Sequence, residues 1–165
     1  MGHTFCKALV VGNGDIAKIL KDREDITFFA SGVSNSQCTD ESEYWRELRL
    51  LHKQDYKKHL VYFSSLCIYY SDSRYARHKM LMEHHVSEYF DSYTIVRIGN
   101  ITWGTNPHTL LNFLKANPKA KRRNEIRYLV DQNEFLHWID KIRVGTKDIM
   151  NITGSMINVK NLKVE

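Results

Sequence analysis

Residues 60–65 read LVYFSS and residues 75–79 read YARHK. The first stretch is rich in β-branched and aromatic residues, which predicts a buried strand that ends in two hydroxyls. Tyr75 and Lys79 are four residues apart, so they share one face of a helix. A neighbouring ammonium favours phenolate, which brings the pKa of a tyrosine toward the range useful for proton exchange with a carbonyl oxygen. We therefore predict that Tyr75 is an acid/base and that Ser65 bonds the same oxygen.

The same pattern also fits an ordinary strand and amphipathic helix, with Tyr75 half-buried and Lys79 in solvent. On that helix His78 faces away from the line of Tyr75 and Lys79, so we expect His78 on the surface. Neighbouring histidines such as His84 and His85 point about 100° apart on a helix, which favours solvent or packing over a metal. No metal site is predicted.

A glycine motif lies near the N-terminus. Residues 7–11 (KALVV) predict a short strand, GNGDIA follows at residues 12–17, and residues 16–21 predict a helix. The pattern G-x-G-x-x-A between a strand and a helix is the context of a dinucleotide-binding turn. Its glycines permit close backbone approach, and the helix N-terminus offers amides to a pyrophosphate. A glycine turn without a ligand gives the same pattern, and Asp15 is an awkward neighbour for phosphate.

The remaining elements follow in alternation. Strands are predicted at residues 26–30 and 93–98, and helices at residues 40–54 and 75–90. This order predicts an α/β fold, a Rossmann-like parallel sheet with helices on both faces. Ligands of such sheets bind at the carboxyl ends of the strands. The residues that fall there are Gly12, Ser31, Ser65 and Asn100.

The composition favours one domain over residues 1–165, since 42% of the residues are hydrophobic and 26% are charged. Three cysteines without metal-type spacing suit a reducing compartment. No apolar run is long enough for a membrane span or a signal peptide, so we expect a cytoplasmic protein. The net charge is +5, and much of the excess lies in residues 115–127. That segment lacks a base-reading motif, so we expect a solvated loop or a small phosphorylated ligand there rather than nucleic acid.

Five stretches resemble, in the same order, the motifs of one known family. Residues 29–32 (FASG) are similar to its nicotinamide-side loop, and residues 63–69 (FSSLCIY) to its strand ending in Ser-Ser or Ser-Thr before Val-Tyr. Residues 75–83 resemble its Tyr-x-x-x-Lys-x-x-x-Glu helix. Residues 95–104 resemble its Arg-x-x-Asn-x-x-Gly strand and loop, and residues 134–140 its C-terminal segment of Phe, His and Asp. The family is the extended short-chain dehydrogenases/reductases, which include nucleotide-sugar epimerases, dehydratases and reductases.

The resemblance implies an enzyme that uses NAD or NADP and acts on a nucleotide-linked sugar. Its catalytic residues would be Ser65, Tyr75 and Lys79, of which Lys79 would also touch the nicotinamide ribose. The residues implied at the cofactor are Gly12, Asn13, Gly14, Asp15, Ile16, Ala30, Ser31, Gly32, Ser64, Tyr75, Lys79 and Gly99. Those implied at the substrate are Ser65, Arg97 and Asn100. Dimers of this family form through two helices, here residues 40–54 and 75–90, so a homodimer is implied.

The chain departs from the family after the glycine turn. It passes directly to a strand that resembles the family's fourth, so the second and third strands and their helices are predicted to be missing. The acidic residue at the end of the second strand, which would hydrogen-bond the adenosine ribose, is therefore predicted to be missing as well. Residues 105–165 would be a remnant of the substrate-binding part. Two hypotheses therefore stand: an enzyme that works through Ser65, Tyr75 and Lys79, and a non-catalytic Rossmann-type module that binds a nucleotide or a partner chain.

Overall fold

Eight strands and four α-helices lie along residues 9–165, the part of the chain that the computed structural model describes. The strands are β1 (Val10–Val11), β2 (Ile26–Phe29), β3 (His59–Ser65), β4 (Tyr93–Ile98), β5 (Asn100–Ile101), β6 (Ile126–Val130), β7 (Lys147–Ile152) and β8 (Ser155–Asn158). The helices are α1 (Glu41–Leu51), α2 (Arg74–Tyr89), α3 (Leu110–Ala116) and α4 (Gln132–Ile139). Of the predicted first strand, residues 7 and 8 lie outside the described residues.

Five strands form a wholly parallel sheet in the order β1-β2-β3-β4-β7. The predicted Rossmann-like α/β class is therefore confirmed. Within residues 9–165 no strand pairs with the outer edge of β1, which is where the missing second and third strands would lie. The strand β7 was not predicted, and its residues belong to the segment assigned to the substrate-binding part. The structure instead adds β7 to the main sheet, beside β4.

The central strands β2, β3 and β4 are buried on both faces, because side chains alternate along each strand and parallel sheets carry helices on both sides. On one face, side chains of β2, β3 and β4 pack with α1 and α2; they include Phe29, Leu60, Tyr62, Ile95, Leu51 and Met82. On the other face, the alternate side chains pack with α4; they include Phe28, Val61, Phe63, Val96, Phe135 and Ile139. The prediction of helices on both faces is confirmed.

The two long helices begin close to their predicted starts, because each has a side-chain cap. Asp40 accepts a hydrogen bond from the amide of Ser42 at the start of α1, and Ser73 accepts one from the amide of Ala76 at the start of α2. Such caps satisfy amides that have no partner within the helix. The cap of α2 places Tyr75 in its first turn.

The helix predicted at residues 16–21 is wrong. Only a three-residue 3-10 turn forms, Ala17–Ile19, and Leu20 is already extended with φ −77° and ψ 140°. A segment this short does not repay the cost of helix nucleation, and the turn has no side-chain cap. Its apolar side chains instead pack against the core beneath the sheet.

A second, smaller sheet follows the main one. It has the order β5-β6-β8, with β5 and β6 parallel and β6 and β8 antiparallel. The strand β5 follows β4 after one residue, so this sheet is attached at the carboxyl edge of the main sheet. No helix within the described residues is long and apolar enough to cross a membrane.

Candidate functional site

The carboxyl ends of β1, β2, β3 and β4 meet at one edge of the main sheet. The register pairs Val11 with Phe29, Phe29 with Tyr62, and Ser65 with Ile98. Gly12 follows β1 with φ 124°, and a Cβ at this position would overlap the carbonyl of Ala30. The glycine turn and the loop after β2 are therefore in direct contact, which requires glycine at position 12.

Lys79 is directed into the protein beneath the loop after β2. Its side chain is only 3% exposed, and its Nζ donates to Glu47 Oε1 at 3.4 Å, Tyr62 OH at 3.3 Å and the carbonyl of Phe63 at 3.4 Å. The approach to the loop is so close that a Cβ on Gly32 would lie 2.7 Å from Lys79 Nζ. All three protons of the ammonium thus have partners within the chain.

Glu47 is the buried anion of this cluster, and its side chain has no exposed surface. Oε1 accepts from Tyr62 OH at 2.7 Å as well as from Lys79, while Oε2 accepts from His78 Nε2 at 2.7 Å and the amide of Val33 at 3.0 Å. Burial alone would raise the pKa of Glu47, but the charge of Lys79 and the hydrogen bond from His78 outweigh it and lower the pKa to about 2. Glu47 is therefore a carboxylate that balances Lys79.

The sequence interpretation missed Glu47, and it placed His78 wrongly. His78 is 2% exposed, and its ring lies 4.6 Å from the ring of Tyr44. The expectation of a surface histidine failed because α1 packs across that side of α2. One signal was available: Glu47 lies three residues after Tyr44 and four before Leu51, so it falls on the apolar stripe of α1.

Tyr75 and Lys79 do share one face of α2, as predicted, with Lys79 Nζ 5.5 Å from the centroid of the Tyr75 ring. The predicted effect on the pKa is wrong. The pKa of Tyr75 is raised, first by burial and then by Cys67 and Glu47. Lys79 does not offset these effects because Glu47 already balances its charge.

The two serines at the end of β3 have partners of their own. Ser65 Oγ accepts from the amide of Cys67 at 3.2 Å and caps the 3-10 turn Leu66–Tyr69. Ser64 is buried, and its Oγ donates to Glu83 Oε1 at 2.6 Å. Ser65 lies at the carboxyl edge, half-buried, whereas Ser64 is directed into the protein.

The predicted substrate contacts at the end of β4 are likewise engaged. Arg97 pairs with both oxygens of Glu83, from Nε at 3.1 Å and from Nη2 at 2.6 Å, and Nη1 donates to Tyr69 OH at 2.6 Å. Asn100 Nδ2 donates to the carbonyl of Tyr128 at 3.2 Å. An open groove of about 250 Å³ beside Arg97 and Glu83 runs between α2, β4 and β7, away from the glycine turn.

The glycine turn itself is exposed over Gly12, Asn13 and Gly14. No atom lies within 4 Å of the Cβ position of Gly14, so the backbone there is open to a ligand. The carboxylate of Asp15, the next residue, accepts hydrogen bonds from backbone amides of the loop after β5. Ser31 is held by Arg46, which donates to both its hydroxyl and its carbonyl at 3.1 Å.

No protein-family model matches the chain, and no curated protein sequence matches it. Several solved structures share its fold. The enzyme WbmG from Bordetella bronchiseptica, solved with NAD and UDP, aligns with a TM-score of 0.61 and 15% identity over 82% of this chain and 53% of that chain. The UDP-glucose 4-epimerase of Thermus thermophilus, solved with NAD, aligns with a TM-score of 0.56 and 15% identity over 82% and 58%.

A third similar structure is the UDP-N-acetylglucosamine 4-epimerase of Methanobrevibacter ruminantium, solved with UDP-N-acetylmuramic acid. It has a TM-score of 0.53 and 14% identity over 89% of this chain and 60% of that chain. The fold is what they share. The likeness supports the resemblance to nucleotide-sugar epimerases at the level of fold, and the chain spans a little over half the length of these structures.

Proposed function

We propose that this chain is a Rossmann-type nucleotide-binding module whose ligand is a nucleoside diphosphate or a nucleotide sugar. The ligand binds at the carboxyl edge of the sheet, against the open backbone of Gly14 and the loop that follows β2. Diphosphates suit such a turn because its amides can approach the phosphate oxygens closely. The fold is that of solved enzymes bound to UDP, to a UDP-sugar and to NAD, which supports a ligand of this class.

The ion pair between Lys79 and Glu47 is the observation that favours binding over catalysis. A Tyr-Lys mechanism needs the ammonium free to hold a nicotinamide ribose and to stabilise the phenolate of Tyr75. If Lys79 left Glu47 for that purpose, the fully buried carboxylate would keep its hydrogen bonds from Tyr62, His78 and Val33 but lose the ammonium that balances its charge, and removal of one partner of a buried pair costs about 3–5 kcal/mol. That cost corresponds to a loss of about 10²–10³·⁵ in affinity for a ligand that requires Lys79.

The adenosine half of a dinucleotide also fits poorly. The outer edge of β1 has no neighbouring strand within residues 9–165, so the described residues lack the strand that carries the acid for the adenosine ribose in such folds. The missing strand favours a ligand with one nucleoside over NAD or NADP, since a nucleoside diphosphate needs no second ribose site.

A second candidate is the NAD- or NADP-dependent enzyme acting on a nucleotide-linked sugar. One observation favours it: Tyr75 and Lys79 lie on the same face of α2, and Ser65 ends the strand that precedes this helix. Tyr75 would be the acid/base, Ser65 would orient the sugar oxygen, and Lys79 would hold the ribose. This function requires Glu47 to release Lys79 when cofactor binds.

Calorimetric titrations with UDP, NAD, NADP and nicotinamide mononucleotide distinguish the two candidates. The binding module predicts that UDP binds most tightly and that the three nicotinamide compounds bind within about tenfold of one another, a spread of about 1.4 kcal/mol. NAD that binds far more tightly than both UDP and the mononucleotide would favour the enzyme. If none of the four binds at millimolar concentration, the nucleotide-binding proposal is wrong.

A variant locates the binding site. Gly14→Ala places a methyl group in open space, so the fold is unaffected while phosphate approach is blocked. We expect at least a tenfold loss of UDP affinity in Gly14→Ala. Asp22→Ala is the matched control, since Asp22 is exposed and lies beyond the turn. Equal affinity in Gly14→Ala and the wild type would move the ligand away from the glycine turn.

A further inference from the structure

The carboxylate of Asp15 is held by the backbone of a loop that lies about ninety residues further along the chain. Oδ1 accepts from the amide of Thr105 at 3.0 Å, with a sequence separation of 90, and Oδ2 accepts from the amide of Asn106 at 2.9 Å, with a separation of 91. Each carboxylate oxygen therefore has its own amide. Two successive amides directed at one anion form a nest, the arrangement in which protein backbones bind phosphate.

The backbone of the loop at residues 104–106 has a conformation that admits an anion at close range. Gly104 has φ 90°, and a Cβ there would overlap the carboxylate, so only glycine lets a negatively charged group approach this closely. The side chain of Asn112 fixes the loop from below, because Nδ2 donates to the carbonyls of Gly104 at 3.2 Å and Asn106 at 2.9 Å. Gly104 and Thr105 are exposed, so the nest is open to solvent on one side.

We propose that the loop at residues 104–106 is an anion-binding site, that Asp15 is its internal occupant, and that its external ligand is the diphosphate of a nucleotide. The glycine turn and this loop are joined through Asp15, so a diphosphate at Gly14 lies next to the nest. Its phosphate displaces the carboxylate and takes over the amides of Thr105 and Asn106. The choice of a nucleotide diphosphate rests on the proposed function, whereas the anion site itself does not.

Asp15 makes a further hydrogen bond with this part of the chain, through its backbone rather than its carboxylate. Trp103 Nε1 donates to the backbone carbonyl of Asp15 at 3.2 Å, and the Trp103 ring packs against Phe135 with 5.3 Å between ring centroids. This contact holds the turn in place when the carboxylate is absent or displaced. Removal of the side chain therefore empties the nest without detaching the turn.

Chemical rescue tests the site. In Asp15→Ala the nest is empty, so pyrophosphate should raise the midpoint of thermal unfolding by about 3–6 °C when present at tenfold its dissociation constant. The wild type, whose nest is filled, should shift by much less. Asp22→Ala removes the same charge from an exposed position, and sodium chloride at equal ionic strength controls for screening. If Asp15→Ala responds to pyrophosphate no more than Asp22→Ala does, the anion site is refuted.

Two further measurements keep the test decisive if Asp15→Ala does not fold. Asp15→Asn keeps the shape of the side chain but removes its charge, so UDP should bind about tenfold more tightly than to the wild type. In the wild type, UDP should shift the amide resonances of Thr105 and Asn106 saturably. UDP that binds without moving these resonances refutes the nucleotide part of the inference alone. UDP that does not bind refutes the proposed function, and pyrophosphate titrated into Asp15→Asn then decides the anion site on its own.

Discussion

The substitution Glu47→Gln tests the observation on which the choice of function depends. It keeps the shape of the side chain and removes the charge that balances Lys79, whose side chain is 3% exposed. An unpaired buried ammonium costs about 3–5 kcal/mol of unfolding free energy. For a chain of this size the midpoint of thermal unfolding should fall by roughly 6–20 °C, at about 2–4 °C per kcal/mol.

The cost can be assigned to the pair by a double-mutant cycle. Glu47→Gln combined with Lys79→Met removes both charges, so at least about 2 kcal/mol of the loss should return, since uncharged replacements for a buried pair are commonly neutral. Glu43→Gln is the matched control on α1. Glu43 pairs with Arg46 at 3.1 Å, but both side chains are more than a third exposed, so we expect a change of no more than about 0.5 kcal/mol.

Urea denaturation of the four variants and the wild type gives the free energies directly. A Glu47→Gln variant within about 1 kcal/mol of the wild type, or a double variant equal to the sum of the two single variants, would contradict the stabilising role of the buried pair. Either result would mean that Lys79 can leave Glu47 at little cost. The enzyme candidate would then be the stronger one.

Three further predictions follow from other parts of the structure. Tyr75→Phe should leave UDP affinity within about twofold of the wild type, because the Tyr75 hydroxyl takes no part in the proposed binding. If instead the wild type turns over a UDP-sugar with NAD and Tyr75→Phe does not, the enzyme function is the correct one. His59 is buried, its Nδ1 accepts from the amide of Gly145 at 3.2 Å, and burial holds the pKa of this imidazole below its usual 6.5. As the pH falls below 6.5, the unfolded chain binds a proton before the folded chain does, so the stabilising contribution of neutral His59 is present above that pH and is lost below it. Urea denaturation should therefore show that the unfolding free energy of His59→Gln depends less on pH between about 7.5 and 5 than that of the wild type. A homodimer through α1 and α2 would bury Trp45 and Leu81, which are 56% and 43% exposed in the single chain. Light scattering should therefore give the mass of two chains for the wild type and of one chain for Trp45→Glu. A monomeric wild type at micromolar concentration would contradict the dimer.

The amino-acid sequence alone was enough to predict the first four strands, the two long helices and their order. Apolar runs bounded by glycine and polar residues located the first four strands, and the order of strands and helices specified a parallel sheet. The N-cap of α2 and the common face of Tyr75 and Lys79 were also predictable. These features depend on residues a few positions apart, and the period of a helix or strand is a local property of the chain.

Which charged side chains come into contact depends on long-range packing. Glu47 and Lys79 are separated by 32 residues, and Asp15 and Asn106 by 91. No local pattern links such pairs, because they come together only when α1 crosses α2 or when the loop after β5 reaches the glycine turn. Pairing with β4, more than fifty residues earlier in the chain, likewise added β7 to the sheet. The chemistry of Lys79 therefore depends on its buried neighbours, since the pKa of an ionisable group is set by the charges and burial around it rather than by its spacing in the sequence.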